Sequence, residues 1–131
     1  MFKFSKRSLE NLKNVDNRLV EICNELIKEY DFTVIEGYRS LERQKELYEQ
    51  GFSKIDGKTK KGKHNYNPSL AIDIVPYKNG HNPFDGSIKS ELMFNQMAHK
   101  FKNVAKRLNI EIIWGGDWKN FKDLPHFELK V

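Results

Sequence analysis

Two histidines and one aspartate are the residues of this sequence whose types best suit metal chemistry. Asp73 lies inside the apolar run of residues 70–75, and burying a carboxylate without a partner costs on the order of several kcal/mol. His64 stands upstream in a polar loop, and His126 follows Pro125 in a later segment. Two imidazoles and one carboxylate form a ligand set that suits zinc and leaves one coordination position open for water.

Each of these three residues also has an ordinary structural explanation. A histidine is commonly a satisfied polar residue, and an aspartate is commonly one half of a salt bridge. The interval from His64 to Asp73 is not a regular ligand spacing, and two further histidines, His81 and His99, are assigned no role. Spacing alone therefore leaves both interpretations open.

Length and composition limit the classes of protein to consider. The chain has 131 residues, of which 38% are hydrophobic and 31% charged, so we expect residues 1–131 to form a single domain. The net charge of +5 favours an anionic partner, such as nucleic acid, anionic lipid or an acidic polymer. No apolar run approaches the ~20 residues of a membrane span. The basic residues 1–7 precede no apolar stretch, which predicts that they are not a secretory signal.

Hydrophobic periodicity predicts the elements that must position the candidate residues. Helices are predicted from a Ser8 cap to Tyr30, from a Ser40 cap to Gln50, and over residues 89–108. Strands are predicted over residues 32–38, 69–75, 110–114 and 126–131, with a tight turn at Asn79-Gly80. We therefore expect the α+β class, with a small, mostly antiparallel sheet flanked by helices.

Two helical faces are predicted to pack in the core. The single cysteine, Cys23, lies on the apolar face of the first helix and is interpreted as a core residue, and it cannot form an internal disulfide. On the last helix the predicted apolar stripe consists of Leu92, Met93, Met97, Phe101, Val104, Ala105 and Leu108.

Four motifs in a fixed order give the sequence a family resemblance. They are Glu36-Gly-Tyr-Arg-Ser40, His64 with Ala71-Ile-Asp73, Trp114-Gly-Gly-Asp-Trp118, and Asp123-Leu-Pro-His-Phe-Glu-Leu129. Together they resemble the zinc peptidases that cut cell-wall peptides, namely the D-alanyl-D-alanine carboxypeptidases and dipeptidases and the phage L-alanyl-D-glutamate endopeptidases. The last two motifs look most like the L-alanyl-D-glutamate branch, which includes phage endolysins.

The resemblance implies a role for each matched polar residue. It makes His64, Asp73 and His126 the zinc ligands, Asp123 the general base, and Arg39 the group that stabilises the developing oxyanion. These roles are chemically coherent, since a carboxylate beside an activated water can accept its proton and a fixed guanidinium can stabilise transient negative charge. The alternatives are a turn aspartate for Asp123 and a surface salt bridge with a glutamate of the following helix for Arg39.

Three further residues are candidates for the substrate groove. Trp114, Asp117 and Trp118 belong to the third motif. Aromatic packing beneath the active-site loop explains the tryptophan pair equally well.

The function expected from the resemblance is a zinc-dependent peptidoglycan endopeptidase that cuts the L-alanyl-D-glutamate bond as a phage-type endolysin. We expect a monomer without a separate cell-wall-binding domain or stable membrane association, held in the host cytoplasm until lysis. The alternatives are a D-alanyl-D-alanine carboxypeptidase, a metal-binding module without catalysis, and a small basic nucleic-acid-binding protein. The pI near 9.2 supports the last of these, but no nucleic-acid motif is present.

A lysine-rich loop is the candidate for attraction to the anionic wall. Its lysines are Lys54, Lys58, Lys60, Lys61 and Lys63. A solvated surface loop explains the same residues equally well.

Overall fold

The computed structural model describes residues 2–51 and 62–131. Within them the helices are α1 (Lys6–Asn11), α2 (Asn17–Leu26), α3 (Leu41–Glu49) and α4 (Ile88–Arg107). The strands are β1 (Phe32–Glu36), β2 (Ala71–Pro76), β3 (Ile112–Trp114) and β4 (His126–Leu129), and short 3-10 turns lie at Lys63–Asn65 and Gly115–Asp117. The predicted α+β class is confirmed.

The four strands form one sheet in the order β1-β2-β4-β3, and each neighbouring pair is antiparallel. Asp73 of β2 pairs directly with His126 of β4. Side chains alternate along a strand. Ile72 and Ile74, which flank Asp73, and Phe127, which follows His126, therefore point to the opposite, buried face of the sheet. The sheet thus has a core side and a side that carries the candidate metal ligands.

The core lies between this buried face and the long helices. Phe101 of α4 stacks on Phe127 with ring centroids 4.1 Å apart, and α2 contributes Leu19 and Ile22, which are fully buried. Cys23 is also fully buried, which confirms its prediction as a core residue, and burial raises the pKa of its thiol to about 12.

The prediction of one long first helix is wrong. Asn14 has a φ of 61°, which ends helical geometry, and Asp16 starts a new helix by accepting a hydrogen bond from the backbone N–H of Arg18. Between the two helices, Val15 forms a parallel bridge with Ser69. The predicted cap is also wrong, because Ser5 caps α1 and Ser8 is buried inside it.

The prediction for α4 gives nearly the right bounds, but it is partly wrong about which side of the helix is buried. Ser87 caps the helix, which begins and ends one residue before the predicted bounds. Leu92 is 64% exposed, whereas Phe94 and Ala98 are buried instead. The buried side follows the helical period from Ser90 onward, and Leu92 lies two residues from it on another side of the helix.

The other predicted elements agree with the structure to within a few residues. Ser40 caps α3, as predicted, and the Asn79-Gly80 turn is present, with Gly80 at a φ of 74°. Lys54, Lys58, Lys60 and Lys61 lie outside the described residues, so the prediction for their loop stays a prediction. In the part of the chain that the structure describes, no helix is long and apolar enough to span a membrane.

Candidate active site

The three predicted metal ligands lie together at one end of the β2–β4 ladder. Oδ1 of Asp73 is 3.1 Å from Nε2 of His64 and 3.3 Å from Nδ1 of His126. One ligand atom from each residue lies within 4.8 Å of the others. The strand register brings Asp73 and His126 together, and the 3-10 turn Lys63–Asn65 supplies His64. We call these three residues the His64–Asp73–His126 cluster.

Each histidine of the cluster is oriented by a second partner outside it. Nδ1 of His64 lies 2.8 Å from the carbonyl oxygen of Gly37, and because a carbonyl only accepts, Nδ1 must carry the proton. Nε2 of His126 lies 2.8 Å from Oε1 of Glu128. In both rings the remaining nitrogen faces Asp73, which is the arrangement typical of metal-ligating histidines.

Charge is strongly coupled within the cluster. Burial works to raise the pKa of Asp73, but the charges and hydrogen bonds of His64 and His126 outweigh it and hold that pKa well below its usual range. Burial works to lower the pKa of His126, but hydrogen bonds to Asp73 and Glu128 raise it to about 9. Without a metal, both shifts favour the pair formed by the Asp73 carboxylate and a protonated His126.

Arg39 is held next to the cluster by a carboxylate fork. Its Nε and Nη2 donate to the two oxygens of Glu36 at 2.7 and 2.8 Å, and Nη1 donates to Gln44 at 2.9 Å. Nη2 is also 3.7 Å from Oδ2 of Asp73. The side chain is only 11% exposed, so Arg39 is not a surface residue.

A β-bulge places Glu36 where it can hold Arg39. Val34 pairs with Ile74, but the next pair joins Glu36 to Asp73, so β1 has one residue more than β2 at this point. Sequence reasoning named Glu36 only as part of a motif and gave it no role.

Gly37 follows the bulge and is required by close packing. A Cβ atom at this position would collide with the backbone carbonyl oxygen of Asn11 in α1. The absence of a side chain lets β1 lie against α1 and sets the position of the carbonyl that holds His64. Sequence reasoning named Gly37 only as part of the Glu36–Ser40 motif and gave it no role.

Asp123 lies beside the cluster in the turn that leads into β4. Its backbone N–H donates to the carbonyl of Gly115 at 3.0 Å, and its own carbonyl accepts from the N–H of His126 at 3.2 Å. Burial and the negative charge of Asp73 raise the pKa of the Asp123 carboxyl, while His126, His64 and Arg39 act in the opposite direction. The carboxyl group therefore lies in the electrostatic field of both the cluster and the guanidinium.

The three groove candidates occupy different environments. Trp114 is buried, donates its indole N–H to the carbonyl of Leu124 at 2.8 Å, and packs under the loop. Asp117 is exposed and pairs with Lys102 at 2.7 Å. The Trp118 ring lies 5.0 Å from that of His126. Of these three, Trp118 is the side chain in contact with the cluster.

Glu128 is a further residue at the site to which sequence reasoning gave no positioning role. Its signal is the His-x-Glu spacing within β4, because residues two apart on a strand share a face. A glutamate at that spacing lies beside the histidine and can accept its outer N–H.

Comparisons with known proteins identify the family to which this chain belongs. A family model described as phage L-alanyl-D-glutamate peptidase matches residues 1–129. The Bacillus subtilis peptidoglycan L-alanyl-D-glutamate endopeptidase CwlK is 39% identical over an alignment of 111 residues that covers 78% of this chain and 62% of CwlK. The chain thus spans less than two thirds of the length of CwlK.

Two other relatives match nearly the whole chain. The L-alanyl-D-glutamate peptidase of Escherichia phage T5 is 29% identical over 131 residues, covering 98% of this chain and 90% of that protein. The crystal structure of the Serratia marcescens L-Ala D-Glu endopeptidase ChiX superposes with a TM-score of 0.78 and 31% identity, covering 97% of this chain and 89% of that one.

Proposed function

Because this chain belongs to the phage L-alanyl-D-glutamate peptidase family, we propose that it hydrolyses the L-alanyl-D-glutamate bond in the peptide stem of bacterial peptidoglycan. The observation that carries the proposal is the His64–Asp73–His126 cluster with Arg39 and Asp123 beside it. The names of CwlK, the phage T5 peptidase and ChiX all specify this bond. They favour it over the D-alanyl-D-alanine alternative.

We propose that His64, Asp73 and His126 hold zinc. The donor set fits, because two imidazole nitrogens and one carboxylate oxygen face one point and both outer N–H groups are already held. A zinc ion bound there supplies a Lewis acid that polarises the scissile carbonyl and lowers the pKa of water to ~7.

Asp123 is the proposed general base. Its carboxylate takes a proton from the attacking water and passes that proton to the nitrogen of the D-glutamyl residue as the C–N bond breaks, so that this nitrogen leaves as an amine. In the protein without metal, burial raises the pKa of the Asp123 carboxyl, which makes it a stronger base than an ordinary aspartate. One product then ends in an L-alanyl carboxylate, and the other begins with a D-glutamyl amine.

Arg39 is proposed to stabilise the negative charge that develops on the carbonyl oxygen. Among the described residues, Glu36 and Gln44 accept from three of the five guanidinium N–H groups, which leaves two that face the longer contact to Asp73 or the substrate. The fork to Glu36 fixes the plane of the guanidinium before substrate arrives, and a preorganised donor stabilises the transition state without reorganisation cost.

We further propose that Trp118 forms part of the substrate groove, since its ring lies against His126. Trp114 and Asp117 are more distant candidates for the same role. The phage relative, which matches along most of its length, supports action as an endolysin that stays in the host cytoplasm until lysis. We propose that the protein acts as a monomer and needs no stable association with the membrane.

Digestion of purified peptidoglycan tests the proposed bond. New D-glutamyl amino termini and new L-alanyl carboxyl termini are expected, and both should disappear on chelation and return when zinc is added. Release of free D-alanine without new glutamyl termini would assign the D-alanyl-D-alanine bond instead. Metal analysis of the same sample should give one zinc per chain.

A further inference from the structure

A cavity of about 400 Å³ opens beside Asp123. One of its walls runs from Pro83 into the first turns of α4, and the other is formed by residues 122–125. No member of the His64–Asp73–His126 cluster lines it. The cavity therefore begins at Asp123 and extends away from the cluster toward α4.

The lining of the cavity is mostly apolar and also contains two serines and three charged residues. Phe84, Phe94 and Leu124 supply apolar surface, and the two phenylalanine rings lie 6.0 Å apart. Lys122 is the one cation among the lining residues, all of which the structure describes, and Glu91 on the α4 wall is the carboxylate besides Asp123. This combination suits a peptide segment with one carboxylate better than it suits a polyanion.

Lys122 has no ion-pair partner among residues 2–51 and 62–131, unlike Lys102, which pairs with Asp117 at 2.7 Å. It is exposed and stands directly before Asp123 in the chain. Its ammonium group is therefore available to an anion that enters the cavity.

The chemistry of the substrate identifies the anion that would enter the cavity and meet Lys122. Asp123, in its proposed role, lies next to the leaving nitrogen, so the half of the substrate that carries this nitrogen fills the space beyond Asp123. That half begins with D-glutamate, which is linked onward through its γ-carboxyl group. Its α-carboxylate stays free and is bonded to the same carbon as the leaving nitrogen.

We propose that this cavity binds the leaving half of the stem peptide and that Lys122 is a specificity residue, which recognises the free α-carboxylate of the D-glutamyl residue. The inference rests on the proposed function. It predicts discrimination between stems that carry D-glutamate and stems in which this carboxylate is amidated to D-isoglutamine.

The test compares two synthetic muramoyl tripeptides that differ only in D-glutamate or D-isoglutamine at the second position. Wild-type protein should prefer the D-glutamate substrate by about tenfold in kcat/KM, the size expected for one charge-assisted hydrogen bond in a partly exposed cavity. The difference should lie mainly in KM, because the contact is made equally in ground state and transition state.

Variants assign the preference to Lys122. Lys122→Gln should cleave both tripeptides at the slower rate that the wild-type protein shows on the amidated one, whereas Lys122→Arg should retain most of the preference. Lys119→Gln removes the same charge from an exposed position that does not line the cavity, and it should behave as wild type.

The possible failures are distinguishable. Equal wild-type rates on the two tripeptides, or a tenfold preference that persists in Lys122→Gln, would overturn the role of Lys122 and leave the proposed function intact. Loss of activity on both tripeptides in Lys122→Gln would also overturn it, since carboxylate recognition cannot affect the amidated substrate. If wild-type protein cleaves neither tripeptide nor peptidoglycan, the proposed function itself is wrong.

Discussion

The carboxylate of Glu128 lies 2.8 Å from Nε2 of His126, two residues earlier on β4. This contact leaves Nδ1 of His126 directed at Asp73, 3.3 Å away. A histidine whose outer nitrogen donates to a carboxylate is fixed in both tautomer and ring orientation, and it becomes a more basic ligand. The strand therefore supplies both the ligand and the group that orients it.

The first prediction concerns this pair. Glu128→Gln keeps an oxygen acceptor but removes the negative charge, so zinc affinity should fall by roughly 10- to 100-fold. Competition with a chromophoric chelator measures this. Glu111→Gln, an exposed glutamate just before β3, is the matched control and should bind zinc as tightly as wild type. An unchanged affinity in Glu128→Gln would mean that Glu128 does not support the ligand.

A second prediction follows from the raised pKa of His126 in the metal-free protein. The pKa rises from 6.5 to about 9 in the fold, so the stabilisation from its proton is complete below pH 6.5 and is lost as pH rises through 9. The melting temperature of chelator-treated protein should therefore decrease as the pH is raised from 6.5 to about 9. His126→Gln should flatten this slope, and a wild-type profile as flat as that of the variant would contradict the assignment.

The third prediction tests Asp123 as the base. Asp123→Asn preserves shape but cannot accept a proton, so kcat should fall by about 10²- to 10⁴-fold. Zinc content and melting temperature should stay unchanged, because Asp123 is not a proposed ligand. Asp31→Asn, at the far end of β1, serves as control. Loss of zinc from Asp123→Asn would move this residue into the ligand set, and near-normal turnover would place the base elsewhere.

The fourth prediction separates the charge of Arg39 from its shape. Arg39→Lys keeps one positive charge but loses the planar fork that Glu36 holds. We expect kcat to fall by at least about tenfold, since loss of one oxyanion donor typically lowers kcat by ~10²–10³. Zinc binding and the fold should be retained. Arg43→Lys on the exposed side of α3 should be neutral. A wild-type rate for Arg39→Lys would leave Arg39 with a structural role only.

A fifth prediction concerns the packing of Gly37. In Gly37→Ala the new methyl group meets the carbonyl of Asn11, so α1 and the end of β1 must separate. Overpacking of this kind costs about 1–3 kcal/mol. The free energy of unfolding should fall by this amount, and zinc affinity should fall with it because the carbonyl that holds His64 moves. If Gly37→Ala is less stable but binds zinc as tightly as wild type, the packing of Gly37 does not control the position of His64.

The sequence predicted which residues lie together at the site better than it predicted the contacts that hold them in place. Asp73 was conspicuous because a carboxylate in an apolar strand needs a partner, and the structure places both predicted histidines beside it. Glu128 was detectable in principle from its spacing to His126. Both signals lie within a few consecutive residues, which is why they can be recognised from the sequence alone.

The features that were missed depend on contacts between distant segments. The break at Asn14 frees Val15 to pair with Ser69, which no helical pattern encodes. The bulge that sets Glu36 opposite Asp73 depends on the pairing of β1 with β2. Leu92 was placed in the core because it is apolar, although the packed side of α4 follows from where the sheet lies.

The contact between Gly37 and Asn11 has a practical consequence for anyone who modifies this protein. The Gly37 carbonyl that orients His64 is packed against α1. Shortening α1, or displacing it with a fused domain, would therefore change the orientation of His64 although the change is made far from the cluster. Val131 is exposed and lies beyond the last strand, so a label placed there would not disturb this contact.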